Sequence, residues 1–386
     1  MNSPLTIRGA RAVLPDTVLE NATIRIEGGV IREVTAGGAK PGAGGGAVFE
    51  AGGRVVGPGF FDPHCHGDGT TRFFDDPNTV VRNLLKHGTT SVLATIGYPD
   101  MVRDGIGGQL ENFQRALQPQ AKAVVAGVHL EGPYVNRKYG AQTSRGVIKQ
   151  FDPVEYQELI ERHGDLIKWW TCAPELPGSA EFIAAAKARG HVVAAGHSEA
   201  TVEQIQAAIG QGLKVITHWT NATGNPNAAA YRGTRFPGID EASLVFDELT
   251  AEIIPDSGGR HVHPLMAKLL YKAKGADRVM VITDAGYGRP DDPTDPALAK
   301  LDVSIDASGD LAGSRLNMAG AARNFRAFSG CTLPELFRMT SLNAARVLGL
   351  DGRVGSLERG KQANLIVLND DFSVAHTFLQ GREVAL

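Results

Sequence analysis

The chain has 386 residues and a formal net charge of −3 at pH 7, with 42% hydrophobic and 6% aromatic residues. That length exceeds what a single core usually supports, so one large domain plus a smaller one is expected. Lysine and arginine are scattered along the chain, which argues against a nucleic-acid footprint or a basic membrane surface and leaves a small molecule as the expected partner. Cys65, Cys172 and Cys331 lie far apart and in no CxxC arrangement, and the opening MNSPLTIRGARAVL lacks the charged-then-apolar pattern of a signal peptide. No apolar run approaches the roughly 20 residues needed to span a bilayer, so a reduced cytoplasm is the expected location.

From Leu5 to Val34 apolar and polar residues alternate between Gly and Pro-Asp punctuation, which reads as short antiparallel strands and hairpins. A glycine-rich connector, AGGAKPGAGGGAVFEAGG, follows, and the same alternation returns over Ala363 to Val384. The two ends are expected to form one small β-sandwich domain over 1–56 and 355–386.

Between them, over 57–354, come short, nearly continuous apolar runs rich in β-branched residues. They are Arg54 to Phe61, Thr90 to Ile96, Ala123 to Leu130, Ile167 to Ala173, His191 to Ala195, Lys214 to Thr217, Thr250 to Ile254 and Val279 to Thr283. Most precede a segment of helical periodicity, such as FIAAAKARG with its C-terminal glycine, or TVEQIQAAIGQG with a Thr N-cap and a Glu soon after. Fully apolar strands alternating with helices require a parallel sheet covered on its outer face. Eight such units predict an α/β fold of the (β/α)8, TIM-barrel type. A doubly wound alternative finds no GxGxxG after a first strand, and GAGGG at 42–46 opens no helix.

In a (β/α)8 barrel the chemistry sits at the C-terminal ends of the strands. There the first run reaches His64 and His66 in PHCHG, the third Glu131 in HLEGP, the fifth His197 in AGHSEA, the sixth His218 in THWTNA and the eighth Asp284 in TDAG. Residues two apart on a strand face the same way, so His64 and His66 can reach one ion while Cys65 points away. Four imidazoles and two carboxylates at one mouth form a ligand set for Zn²⁺, Fe²⁺ and similar ions. His129 shares a face with Glu131 and is expected to be either a packed core histidine or one that supports the ligands from behind. His87, His163 and His376 fall in helical or edge segments and are read as structural or surface residues.

These blocks, together with TCAPELPG, AEIIPDSGGRHVHP, LAGSRLNM and SLNAARVLGL, make the chain resemble the amidohydrolase superfamily and, within it, the N-acetylglucosamine-6-phosphate deacetylases. The resemblance implies hydrolysis of the acetamide of N-acetylglucosamine 6-phosphate to acetate and the amino sugar phosphate. It implies one divalent metal on Glu131, His197 and His218, a second on His64 and His66 with Glu131 bridging, and Asp284 as the catalytic acid and base. It further implies substrate contacts from Gln142, Asn221, Ala222, Arg235 and His261, and a homodimer. The chain departs from the family's usual wording at HWTNATGNPNAAAYRG and TDAGYGRPDDPTD, loops that would shape the substrate pocket. Two other readings therefore stay open. One is an amidohydrolase acting on another N-acyl or cyclic amide, or on an unphosphorylated N-acetyl sugar. The other is a non-catalytic barrel, which would predict the loss of Asp284 or of a ligand.

Overall fold

The computed structural model describes residues 3–37, 46–97, 100–101, 105–139, 147–226, 233, 236–286, 301–306 and 309–385. The alternating N-terminal segment forms β1 (Leu5–Val13), β2 (Val18–Glu27) and β3 (Val30–Thr35), followed by β4 (Ala47–Glu50) and β5 (Val55–Pro58). The apolar runs give β6 (Phe60–Cys65), β7 (Thr89–Ile96), β8 (Val125–Glu131), β9 (Ile167–Cys172), β10 (Val192–Ala195), β11 (Leu213–Ile216), β12 (Thr250–Ile253) and β13 (Val279–Val281). A hairpin of β14 (Val303–Ile305) and β15 (Leu311–Ser314) precedes the C-terminal strands β16 (Leu365–Leu368), β17 (Val374–Leu379) and β18 (Arg382–Glu383).

The two chain ends meet in one sheet of order β18-β17-β16-β5-β1-β2-β3, with β4 set against β1. They join where β16 runs antiparallel to β5, Val367 facing Val56 and Ile366 facing Gly57. Ile7, Ile24, Ile31, Val56, Leu365 and Phe378 form the core of this sheet. Strands β6 to β13 form the second sheet in strictly sequential order, with every neighbouring pair parallel. All eight residues of β7 and all six of β6 are buried, as a strand must be when side chains fill the barrel on one face and helices cover the other.

One expectation needs correction. The run Arg54 to Phe61 is two strands: β5 belongs to the end sheet, and β6 opens the barrel. Gly59 lies at the junction, where an added Cβ would stand 2.1 Å from Thr90 Oγ1, so only a residue without a side chain lets the chain pass there. The helix Val202–Gln211 does start from the Thr201 N-cap, but its capping box is closed by Gln204 rather than by the neighbouring glutamate.

Inside the barrel, alternate residues of each strand stack in layers. Phe61, Leu93, Trp169, Val215 and Met280 form an apolar floor, closed by Ala344 and Ala345 of the helix Asn343–Val347. Two residues further along the strands the interior turns polar. His129 bonds Thr171 Oγ1 through Nε2 at 2.8 Å, and Thr171 bonds Thr217 Oγ1 at 2.8 Å. The candidate site rests on this layer. Among the described residues no helix is long and apolar enough to cross a membrane.

Candidate active site

The barrel seam brings the first and last strands together at the mouth. The Asp284 N–H donates to the His64 carbonyl at 2.9 Å, and the His66 N–H donates to the Ala285 carbonyl at 2.8 Å. Just below, Thr283 Oγ1 donates to Asp62 Oδ2 at 2.5 Å, inside the barrel wall. Residues 62–66 and 283–285, more than two hundred positions apart in the chain, thus share one edge of the site. His197, His218, Ala222 and Asp284 hold left-handed backbone angles, with φ of 49°, 27°, 50° and 47°. Each such residue costs about 1–3 kcal/mol of local strain, and such residues gather where side chains must be aimed.

Two groups of potential ligands result, His64 with His66 and Asp284, and Glu131 with His197 and His218; within each group the ligand atoms all lie within 4.8 Å of one another. Glu131 stands between them. Its Oε1 lies 2.9 Å from His197 Nε2, 3.1 Å from His218 Nε2 and 3.5 Å from His64 Nε2, while its Oε2 lies 3.2 Å from His66 Nε2. Asp284 Oδ1 lies 3.2 Å from His66 Nε2 and 3.5 Å from His64 Nε2.

Three of the four imidazoles are oriented from behind. His197 Nδ1–H donates to the Tyr139 carbonyl at 2.6 Å, and His218 Nδ1–H to the Asn221 carbonyl at 3.1 Å. His64 Nδ1–H donates to Glu252 Oε2 at 3.1 Å. Carbonyl and carboxylate oxygens only accept, so Nδ1 of each carries a proton and Nε2 is the atom turned toward the centre. His64 Nε2 is buried and makes no hydrogen bond at all. An orphaned nitrogen, convergent Nε2 atoms and a shared carboxylate suit a divalent ion in its donor chemistry.

The electrostatics agree. Burial alone would raise the Glu131 pKa, but the His64 charge and hydrogen bonds from His197 and His218 hold it well below the usual carboxylate range. Burial likewise opposes ionisation of Asp284, yet His64 and His66 keep it lowered. Burial disfavours charge on His66, but hydrogen bonds to Asp284 and Glu131 push its pKa up to about 9. His64 is also raised well above its ordinary value, its burial outweighed by the charges of Glu131, Asp284 and Glu252. His129 goes the other way, lowered by burial and by the His64 charge, as befits a neutral hydrogen-bonded layer residue.

The structure therefore brings together His64, His66, Glu131, His197, His218 and Asp284. Asn221 and Ala222 lie in the turn just after His218, where Ala222 also accepts the Ser198 N–H at 3.2 Å. His261 follows β12, with Nδ1–H on the fully buried Asp256 at 3.1 Å and a buried Nε2 that makes no hydrogen bond. Gln142 and Arg235 lie outside the described residues. Sequence reading missed Glu252 and Asp256. A charged residue inside the apolar run TAEII was the available signal for the first. The second stands in PDSGGRH, five residues before the histidine it orients.

A parallel (β/α)8 barrel with histidines and carboxylates converging at its C-terminal mouth defines a metal-dependent hydrolase class. A model of the amidohydrolase family matches residues 55–384. The chain is 32% identical to an N-acetylglucosamine-6-phosphate deacetylase of Lysinibacillus sphaericus, over 86% of each chain. It is 30% identical to an N-acetylgalactosamine-6-phosphate deacetylase of Escherichia coli O157:H7, over 87% of this chain and 89% of that one. The crystal structure of the N-acetylglucosamine-6-phosphate deacetylase of Thermotoga maritima superposes with a TM-score of 0.82 at 29% identity, covering 98% of this chain and 99% of that one. The chain belongs to the amidohydrolase family and, within it, to the N-acetylglucosamine-6-phosphate deacetylases. The family is metal-dependent, and the two groups that share Glu131 are its candidate ligands here.

Proposed function

We propose that this chain hydrolyses the acetamide of N-acetylglucosamine 6-phosphate, or of a closely related N-acetyl amino-sugar phosphate, to acetate and the amino sugar phosphate. The observation that carries the reading is the placement of Asp284 Oδ1 3.2 Å from His66 and 3.5 Å from His64, beside a Glu131 that reaches His64, His66, His197 and His218. Glu131, His197 and His218 would hold one divalent ion and His64 with His66 a second, zinc or iron being suited to this nitrogen and oxygen set. Such an ion supplies Lewis acidity, polarising a carbonyl oxygen and making water acidic.

The chain's own groups do the rest. Asp284, with its pKa lowered, is a carboxylate at neutral pH and accepts a proton from water as the water oxygen bonds to the acetyl carbon. It then delivers that proton to the amide nitrogen as the C–N bond breaks. His261, held by Asp256, presents Nε2 to orient the acetamide, a task that Gln142 would share; Asn221, Ala222 and Arg235 would read the sugar phosphate.

The N-acetylgalactosamine-6-phosphate relative at 30% identity supports a second reading for the sugar. The N-acetylated forms of glucosamine and galactosamine, each free and as the 6-phosphate, assayed for acetate release by the metal-loaded enzyme, decide between these. Turnover of a 6-phosphate in clear preference to its free sugar is expected. Equal turnover of phosphorylated and free sugars, or of none, rejects the assignment.

A further inference from the structure

Glu252 is a carboxylate on β12 with no solvent exposure, set in the barrel below the mouth. Oε2 lies 3.1 Å from His64 Nδ1 and accepts the His218 N–H at 3.3 Å; Oε1 is buried without a hydrogen bond. The Glu252 carbonyl accepts the Trp219 N–H at 2.9 Å. A carboxylate with so few partners is poorly compensated, and a barrel interior has no use for it as packing. What it touches is specific. Its carboxylate meets the side chain of one candidate ligand, from the group on the first strand, and the main chain of another, from the group on the sixth.

The three oriented imidazoles differ in what stands behind them. His197 and His218 lean on neutral carbonyls, whereas His64 leans on a charged oxygen. A carboxylate behind an imidazole fixes its tautomer, locks the ring and makes the opposite nitrogen a stronger donor. His64 is the ligand that most needs this. Its group holds one fewer imidazole oriented from outside, because no hydrogen bond at His66 Nδ1 occurs among the described residues.

We propose that Glu252 is a positioning residue for the cation site of His64 and His66: it sets His64 to offer Nε2 and, through the His218 amide, ties that site to the one on Glu131, His197 and His218. The inference rests on the metal-dependent reading given above.

The test uses the full chain, stripped and reloaded with Zn²⁺, as wild type and as Glu252→Gln, a substitution that keeps size but removes charge. Metal per chain, affinity by chelator competition and circular dichroism are measured on both. The wild type is expected to hold two ions. The variant is expected to keep the first and to bind the second about 10–100-fold more weakly, with an unchanged circular dichroism spectrum. Nitrogen-15 spectra of histidine-labelled, zinc-loaded wild type, with His64→Asn to assign the signal, give a readout independent of the variant's folding. They should show a strongly downfield proton on His64 Nδ1.

A variant that holds both ions at wild-type affinity overturns the assignment alone, as does a His64 proton on Nε2. A single ion on the wild type overturns it too, while leaving a mononuclear enzyme intact. A wild type that binds no ion rejects the metal reading itself and the assignment with it.

Discussion

The Asp284 N–H is bonded to the His64 carbonyl at 2.9 Å, so the backbone of the eighth strand end is pinned to that of the first whatever the aspartate side chain does. Gly286 N–H to Ser314 and Ser314 N–H to Asp284, at 3.0 and 2.8 Å, hold the next turn. Asp284→Asn should therefore leave folding near that of the wild type. It should lower kcat by about 10²- to 10⁴-fold, the usual share of a general acid or base, because an amide cannot carry the proton. Retention of more than about a tenth of the activity would mean that another group moves the proton.

The metal-free site stabilises itself with protons. The His66 pKa stands at about 9 in the folded chain against an ordinary 6.5. A folded value above the unfolded one means that the bound proton stabilises the fold; the contribution is complete below about pH 6.5 and is lost as pH rises through 9. Chelator-stripped protein should show a falling Tm between these limits. On the metal reading an ion on His66 requires the neutral imidazole, so in zinc-loaded protein the fall should vanish and metal affinity should climb with pH over the same range. A flat Tm in the stripped protein would show that His66 carries no such proton.

Legibility followed the strand ends. His64, His66, Glu131, His197, His218 and Asp284 stand at the ends of apolar runs, and once eight runs imply a barrel, their ends share one mouth. The Asp284 to Ala285 seam adds nothing that this geometry does not already require. Glu252 was not legible as a partner because the imidazole it orients is 188 residues away, and strand periodicity does not say which inward-facing side chain meets which across a barrel. The division of the first run at Gly59 was hidden for a different reason: both halves are apolar because one half is buried in each sheet, so hydrophobicity carries no boundary.

Gly59 gives a stability prediction from that same junction. A Cβ there would stand 2.1 Å from Thr90 Oγ1, 2.4 Å from its Cγ2 and 2.8 Å from its Cβ, with Thr90 itself buried in β7. A β-branched residue on a central strand has little freedom to turn aside. Gly59→Ala should cost about 1–3 kcal/mol as overpacking and lower Tm, with metal content and KM of the folded fraction unchanged. Thr90→Ser, which removes the nearby methyl, should restore part of the loss; no restoration would place the strain elsewhere.

Arg235 carries the prediction on which the substrate turns. A 6-phosphate is a dianion, and a guanidinium offers it planar, paired donors that an ammonium or a neutral side chain does not. The competing partner is Asp240, which would reduce Arg235 to a rim ion pair. Asp240 already accepts the Thr220 N–H at 3.2 Å and the Thr223 hydroxyl at 2.9 Å, bonds that shape the turn holding Asn221 and Ala222. On the phosphate reading, Arg235→Ala should raise KM for the 6-phosphorylated sugar by about tenfold or more, the worth of one charge-assisted hydrogen bond. It should leave the unphosphorylated sugar nearly unaffected, since the lost contact is remote from the reacting carbonyl. Asp240→Asn should separate the two partners. If Arg235 serves Asp240, that variant reproduces the Arg235→Ala loss on both sugars, whereas if Arg235 serves the phosphate, the preference for the 6-phosphate survives it.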